Sequence, residues 1–264
     1  MNTVQALVLG LFQGIAEFLP ISSSGHLLIF KDIMGLSEVP ALFDVVLHVA
    51  TLFSILVVFR KRVGGILVSV ARWALRKADD GDAENLAIVA PALIATVLTA
   101  GIGLGIEKAG FAWTPGFASG MLLVTAAILV ASSFMKGDRG YRQFGPLQGV
   151  ITGIAQGIGV LPGISRSGIT ISAGIASGMT RDAAGEFAFL LAIPAIAGAL
   201  LLELKDFGEL AGMVAAPQLA LGALAAFASG VVALLVLMPL VRKGKLAWFA
   251  AYLVPAGLFG LLFL

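Results

Sequence analysis

The chain has 264 residues, of which 59% are hydrophobic and 12% charged, and its net charge is +2. A soluble domain carries about 25% charged residues. With a mean hydropathy of +1.03, a water-soluble globule of this length could not hide the apolar surface, so the bilayer is expected to be the solvent for a single membrane domain, 1–264. The small net charge argues against nucleic acid as a partner, and the absence of cysteine excludes disulfides and thiolate metal sites.

A helix needs about 20 apolar residues to cross the hydrocarbon core. In chain order, residues 2–34 are apolar but broken at 20–25 (PISSSG). No basic region precedes this stretch and Glu17 interrupts it, so a signal peptide is not expected. Residues 41–59 predict a span with Asp44 and His48 near one end; 86–106 and 116–134 predict uncharged spans. Residues 145–179 are again apolar but broken, at 162–168 (PGISRSG). Residues 183–202 (with Glu186 near the start), 218–241 and 246–264 complete six spans. The piece after each break is too short to cross alone, so each broken region predicts a re-entrant hairpin. Bare backbone at membrane depth is tolerated there only when it is buried in protein or lines a polar cavity.

Basic residues cluster at 60–77, 136–142 and 242–245, which predicts that these three loops are cytoplasmic. The loops at 107–115 and 205–217 and the C-terminus then lie outside. The acidic run Asp79, Asp80, Asp82 and Glu84 is read as solvated surface without a function.

The two breaks are copies of each other. Residues 13–28 read QGIAEFLPISSSGHLL and 156–171 read QGIGVLPGISRSGITI, identical without a gap at seven of sixteen positions. These include Gln13/Gln156, Gly14/Gly157, Ser22/Ser165, Ser24/Ser167 and Gly25/Gly168. One hairpin plus three spans is thus repeated, as 1–142 and 143–264. An odd number of spans per copy inverts the second. The predicted fold is an all-α membrane protein of two inverted-topology repeats, with its site near the midplane where the broken helices meet. Transporters often have this architecture, so a transporter or lipid flippase is a rival reading.

In each hairpin a Ser-rich turn leads into a new helix, whose first N–H groups lack internal partners and carry the positive end of the dipole. Two such starts facing one cavity make an anion site, lined by Ser22, Ser24, Ser165, Ser167 and Thr170. Arg166 is the one charge in a long uncharged stretch, and its fork suits a phosphate. Gln13 and Glu17, four apart, share a helix face. His26 follows Ser23 by three residues, so the pair is a candidate base and nucleophile on one helix turn. His48 is read as a packed polar group. Under the repeat Ser23 corresponds to Arg166, Glu17 to Val160 and His26 to Ile169, so the first hairpin is the chemical side and the second the phosphate clamp.

QGIAEFLPISSSGH at 13–26 and PGISRSGIT at 162–170 resemble the two signatures of the undecaprenyl-diphosphate phosphatases of the bacitracin-resistance type, and the likeness extends over nearly the whole chain. The resemblance implies a bacterial plasma-membrane enzyme that hydrolyses undecaprenyl diphosphate to the monophosphate and regenerates the lipid carrier for peptidoglycan precursors. It implies functional roles for Gln13, Glu17, Ser23, His26 and Arg166, with Ser22, Ser24, Ser165, Ser167 and Thr170 nearby. It also implies dependence on Mg²⁺ or Ca²⁺ and a site open to the outer face. Position 13 is Gln where many members carry Glu, so Glu17 with the diphosphate itself is the expected metal site. Ser23 with His26 as its base, His26 itself, or water are the alternatives for attack. An intramembrane serine protease is disfavoured because peptide hydrolysis needs no buried guanidinium. The expected partners are the polyprenyl diphosphate substrate and membrane lipids. A homodimer is compatible with the sequence, which does not decide the oligomeric state.

Overall fold

The computed structural model describes residues 1–33, 41–203 and 215–264. The expected far end of the first hairpin at Met34 and most of the loop 205–217 lie outside them. Among the described residues there are eleven α-helices: α1 (Thr3–Phe18), α2 (Ser23–Ile33), α3 (Ala41–Val58), α4 (Arg60–Ala74), α5 (Ala83–Lys108), α6 (Pro115–Ser133), α7 (Pro146–Ile158), α8 (Arg166–Ala176), α9 (Arg181–Glu203), α10 (Ala216–Arg242) and α11 (Ala250–Phe263).

Five helical segments are long and apolar enough to cross a membrane: Asp80–Lys108, Pro115–Ser133, Arg181–Leu202, Ala216–Arg242 and Leu246–Phe263. They match five of the six expected spans. Their outward faces carry large apolar side chains such as Leu93, Val97, Val232 and Leu235, each at least 60% exposed. A water-soluble surface does not sustain such a belt, and the chain is a multi-pass membrane protein. The sixth span differs from expectation. α3 ends at Val58, and the chain turns 79° into α4, where the sequence predicted a basic loop. The segment from Arg60 to Ala74 alternates Arg60, Lys61, Arg62 and Arg72 with Ile66, Leu67 and Val70 at helical spacing. That pattern makes an amphipathic helix, which a search for uninterrupted apolar runs overlooks.

The acidic run also differs in part. Asp79 and Asp80 are exposed, but Asp82 is buried and accepts from Ser69 Oγ at 2.6 Å. Glu84 pairs with Arg62 at 3.5 Å. Both therefore fasten α4 to α5 rather than lie free in solvent.

The breaks behave as the Ser-rich turns require. α2 and α8 have 11 residues each, about 16 Å of helix against a hydrocarbon core of about 30 Å. α7 and α8 form a hairpin whose ends are fastened together. Arg139 N–H donates to Gly178 O at 2.9 Å and Thr180 N–H to Arg139 O at 3.1 Å, while Gln148 Nε2 reaches Ser177 O at 3.1 Å. The basic loops meet on one side of the molecule: Arg62 lies 4.3 Å over the Tyr141 ring, Arg142 bonds Asp80 O, and Arg242 pairs with Asp182 at 2.6 Å.

α1 packs chiefly on α10 and α7 on α5. Both contacts use small residues that let backbones touch. A Cβ on Gly10 would strike the backbone of Gly222, and one on Gly153 would strike Ala95. Gly10→Leu and Gly153→Leu are each expected to destabilise the protein by about 1–3 kcal/mol, as overpacking does, in thermal unfolding in detergent. Gly101→Leu, which meets open space, serves as the reference. Equal melting of all three would show that these helix contacts are not close-packed.

Candidate active site

The two Ser-rich turns abut. Ser165 caps α8, its Oγ accepting from Gly168 N–H at 3.1 Å. Ser22 does the same for α2 through Gly25 N–H at 3.4 Å, and its Oγ also accepts from Gly163 N–H of the second motif at 3.1 Å. Gly163, at φ +91°, occupies the left-handed region open to glycine. Thr125 on α6 fixes this loop, donating to Gly163 O at 2.8 Å and accepting from Ser165 N–H at 3.0 Å. The N–H groups of Ser23 and Ser24 on α2, and of Arg166 and Ser167 on α8, precede the first intrahelical acceptors and remain available to an anion.

Glu17, buried near the end of α1, gathers the other groups. Its Oε2 accepts from Ser23 Oγ at 2.8 Å and Gln13 Nε2 at 2.9 Å. Its Oε1 pairs with the Arg166 guanidinium from the second motif. His48 Nε2 lies 3.3 Å from Oε2, and His48 Nδ1 donates to the Asp44 carbonyl at 2.7 Å. One carboxylate is thus held by groups from α1, α2, α3 and α8. The space between Glu17, Arg166, Ser167 and α9 residues Ala188, Phe189 and Ala192 is only about 10 Å³, room for about one water. A phosphate can enter only by drawing Arg166 away from Glu17.

The structure therefore brings together Gln13, Glu17, Ser23 and Arg166. Ser165 and Ser167 lie with Arg166, their hydroxyls 3.2 Å apart. Thr170 is buried with an unpartnered Oγ1, and Ser24 is half-buried. His26 is not joined to Ser23. Its ring bonds the Ser22 carbonyl and Tyr252, and Ser23 donates to Glu17 instead. Sequence reasoning missed His48, Thr125 and Tyr252. The i, i+4 pair Asp44 and His48 in an apolar helix was a signal for His48. Tyr252, a lone phenol in an uncharged helix, offered a fainter one.

A larger cavity, about 360 Å³, lies away from these residues against the basic loops, lined by Lys136, Thr180, Arg181, Asp182 and Arg242. Its cations already serve the fold: Arg242 pairs with Asp182, and Arg181 bonds Ser133 O and Met135 O at the end of α6.

For a divalent cation, no cluster of three or more acidic, His or Cys side chains occurs among the described residues. Gln13 Oε1 is buried without a partner beside Glu17. An amide oxygen next to a carboxylate suits a hard cation whose other ligands come from substrate phosphates. The donor set fits such an ion.

A multi-pass helical protein with a Ser-rich, Arg-clamped anion site buried between its helices belongs to the membrane proteins that handle phosphorylated lipids or anions. The family model described as "Bacitracin resistance protein BacA" matches residues 6–259, and the chain belongs to that family. It is 43% identical to a protein named undecaprenyl-diphosphatase from Treponema denticola, over 98% of this chain and 96% of that one. Proteins of the same name from Desulfosudis oleivorans (41%; 96% and 95% covered) and Carboxydothermus hydrogenoformans (40%; 96% and 94% covered) are similar over comparable lengths.

Arg166→Lys keeps a charge but loses the planar fork. It is expected to lower kcat/KM for a lipid diphosphate by about 10²-fold or more, with the melting temperature preserved. Activity near that of the unaltered protein would show that charge alone suffices.

Proposed function

We propose that this protein hydrolyses undecaprenyl diphosphate to undecaprenyl phosphate and inorganic phosphate, recycling the lipid carrier of peptidoglycan synthesis. The observation that carries this is the meeting of Glu17, Ser23 and Arg166 at two Ser-capped helix starts, in a chain of this family. A transporter needs an anion site but not a hydroxyl held on a carboxylate.

Arg166 and the free N–H groups opening α2 and α8 hold the terminal phosphate. As Arg166 turns to the phosphate, Glu17 Oε2 keeps Ser23 Oγ at hydrogen-bond distance. Ser23 Oγ attacks the terminal phosphorus and its proton passes to Glu17. The bond from phosphorus to the bridging oxygen breaks, and undecaprenyl phosphate leaves. Water then attacks the phosphoserine, giving up a proton at the same carboxylate, and Ser23 is restored with release of inorganic phosphate. Preorganised donors supply most of the stabilisation in such a transfer. His48, on the far side of Glu17, keeps the carboxylate oriented while Arg166 is away. Ser22, Ser24, Ser165, Ser167 and Thr170 line the phosphate site. Gln13 Oε1 and Glu17 would hold Mg²⁺ or Ca²⁺, which would offset the charge developing on the phosphates.

The reading extends to the fold. Two inverted repeats with re-entrant hairpins are supported by position-by-position exchange of contacts: Gly25 abuts Gly163 while its counterpart Gly168 abuts Pro20, the counterpart of Gly163. In the same way Gly10 meets α10 and Gly153 meets α5. The side bearing the basic loops is then cytoplasmic, and the site opens to the outer face of the bacterial plasma membrane.

Purified protein in detergent micelles, where no gradient exists, is expected to release phosphate from undecaprenyl diphosphate and to lose this activity with EDTA. Ser23→Ala should lower kcat by several orders of magnitude. Substrate chiral at the terminal phosphorus should react with net retention, as two displacements require. Inversion would assign the attack to water. A separate prediction concerns orientation: single cysteines introduced at positions 64 and 139 should label only from the cytoplasm and one at 264 only from outside. Labelling of position 139 from outside would overturn the inverted-repeat reading.

A further inference from the structure

Tyr252 lies on α11, remote in sequence from both motifs, yet its hydroxyl oxygen is 2.8 Å from His26 Nε2. The two rings are nearly parallel, with centroids 5.6 Å apart and planes at 16°. The other ring nitrogen, Nδ1, is 2.8 Å from the Ser22 carbonyl oxygen. A carbonyl can only accept, so Nδ1 carries the proton. Nε2 of the neutral ring is then the acceptor, and the Tyr252 O–H is its donor. Phe12 and Phe30 pack on the same ring at 5.2 and 6.1 Å, so the imidazole is fixed on its faces as well as at both nitrogens.

The group held by this ring is unusual. Ser22 has φ +69°, in the left-handed region that non-glycine residues enter at a cost. Its carbonyl takes the His26 Nδ1–H and also the His26 backbone N–H at 3.3 Å. Its hydroxyl ties the turn to Gly163. The very next residue is Ser23, whose Oγ rests on Glu17. The counterpart of Ser22 in the second copy, Ser165, has an ordinary φ of −75°, and Ile169 stands there in place of His26. The strained turn and the imidazole that clamps it occur together, in the copy that carries the hydroxyl.

We propose that Tyr252 is a positioning residue: its hydroxyl fixes His26 in the Nδ1–H tautomer, and His26 in turn clamps the strained Ser22 turn that holds Ser23 Oγ on Glu17. The inference rests on the reading of Ser23 and Glu17 given above. It assigns His26 to orientation of the turn and leaves proton transfer from Ser23 to Glu17.

Tyr252→Phe keeps the stacked ring and removes one hydrogen bond. Such a loss corresponds to about a 3- to 10-fold fall in kcat, with KM within about twofold because the phenol does not reach the phosphate. The melting temperature should hold. The discriminating readout is the imidazole ¹⁵N NMR spectrum of the substrate-free protein in micelles. The chain has two histidines, and the signal lost in His26→Asn assigns the one of interest. In the unaltered protein His26 should show a protonated Nδ1 and a hydrogen-bonded acceptor Nε2. In Tyr252→Phe the Nε2 signal should move to the free-acceptor position or the ring should exchange tautomers. An unchanged His26 spectrum in Tyr252→Phe overturns the proposal, and so does a changed spectrum with undiminished kcat. The NMR measurement involves no turnover, so failure of Ser23 as nucleophile would appear in the Ser23→Ala and stereochemical results and not here.

Discussion

The ion pair between Glu17 and Arg166 is the constraint on which the site depends. It joins the first hairpin to the second inside a helical membrane protein, where removing either partner would leave a charge without compensation. In buried pairs that imbalance costs about 3–5 kcal/mol. The remaining groups follow from satisfying this carboxylate. Gln13 and Ser23 donate to it, and His48 approaches from α3. Four helices are registered on one oxygen pair, and the close helix contacts at Gly10 and Gly153 bring the two broken regions near enough for the pair to form.

The same pair explains how a site can be assembled yet closed. With Arg166 on Glu17 the cavity holds about one water. A diphosphate offers the guanidinium a better partner, with more charge and matching fork geometry. Binding therefore exchanges one anion for another, and the carboxylate is released beside the hydroxyl that it activates. Binding energy from the lipid is coupled in this way to assembly of the reactive arrangement.

Much of this was legible in the sequence. Five spans, the two breaks, the repeat and the isolated charges Glu17 and Arg166 stand out because a bilayer makes every charge and every broken helix conspicuous. The meeting of Gln13, Glu17, Ser23 and Arg166 followed from spacing and from the repeat. What was not legible depended on neighbours distant in sequence. α4 was hidden because its amphipathic pattern resembles a basic loop when only long apolar runs are sought. Asp82 looked like surface because its acceptor role depends on Ser69 in another helix. His26 was paired with Ser23 on helical spacing alone, but the left-handed turn at Ser22 directs the imidazole to its own carbonyl and to Tyr252. His48 gave a signal, four residues from Asp44, that reads equally well as helix packing.

The account's central claim is that Glu17 and Arg166, from different halves of the chain, act as one unit. A double-mutant cycle in kcat/KM for undecaprenyl diphosphate tests it most directly, using Glu17→Gln, Arg166→Lys and the double variant so that residual activity stays measurable. Groups acting as a unit are strongly non-additive. The double variant is predicted to fall little below the worse single variant. Losses that multiply would show two independent sites and contradict the account.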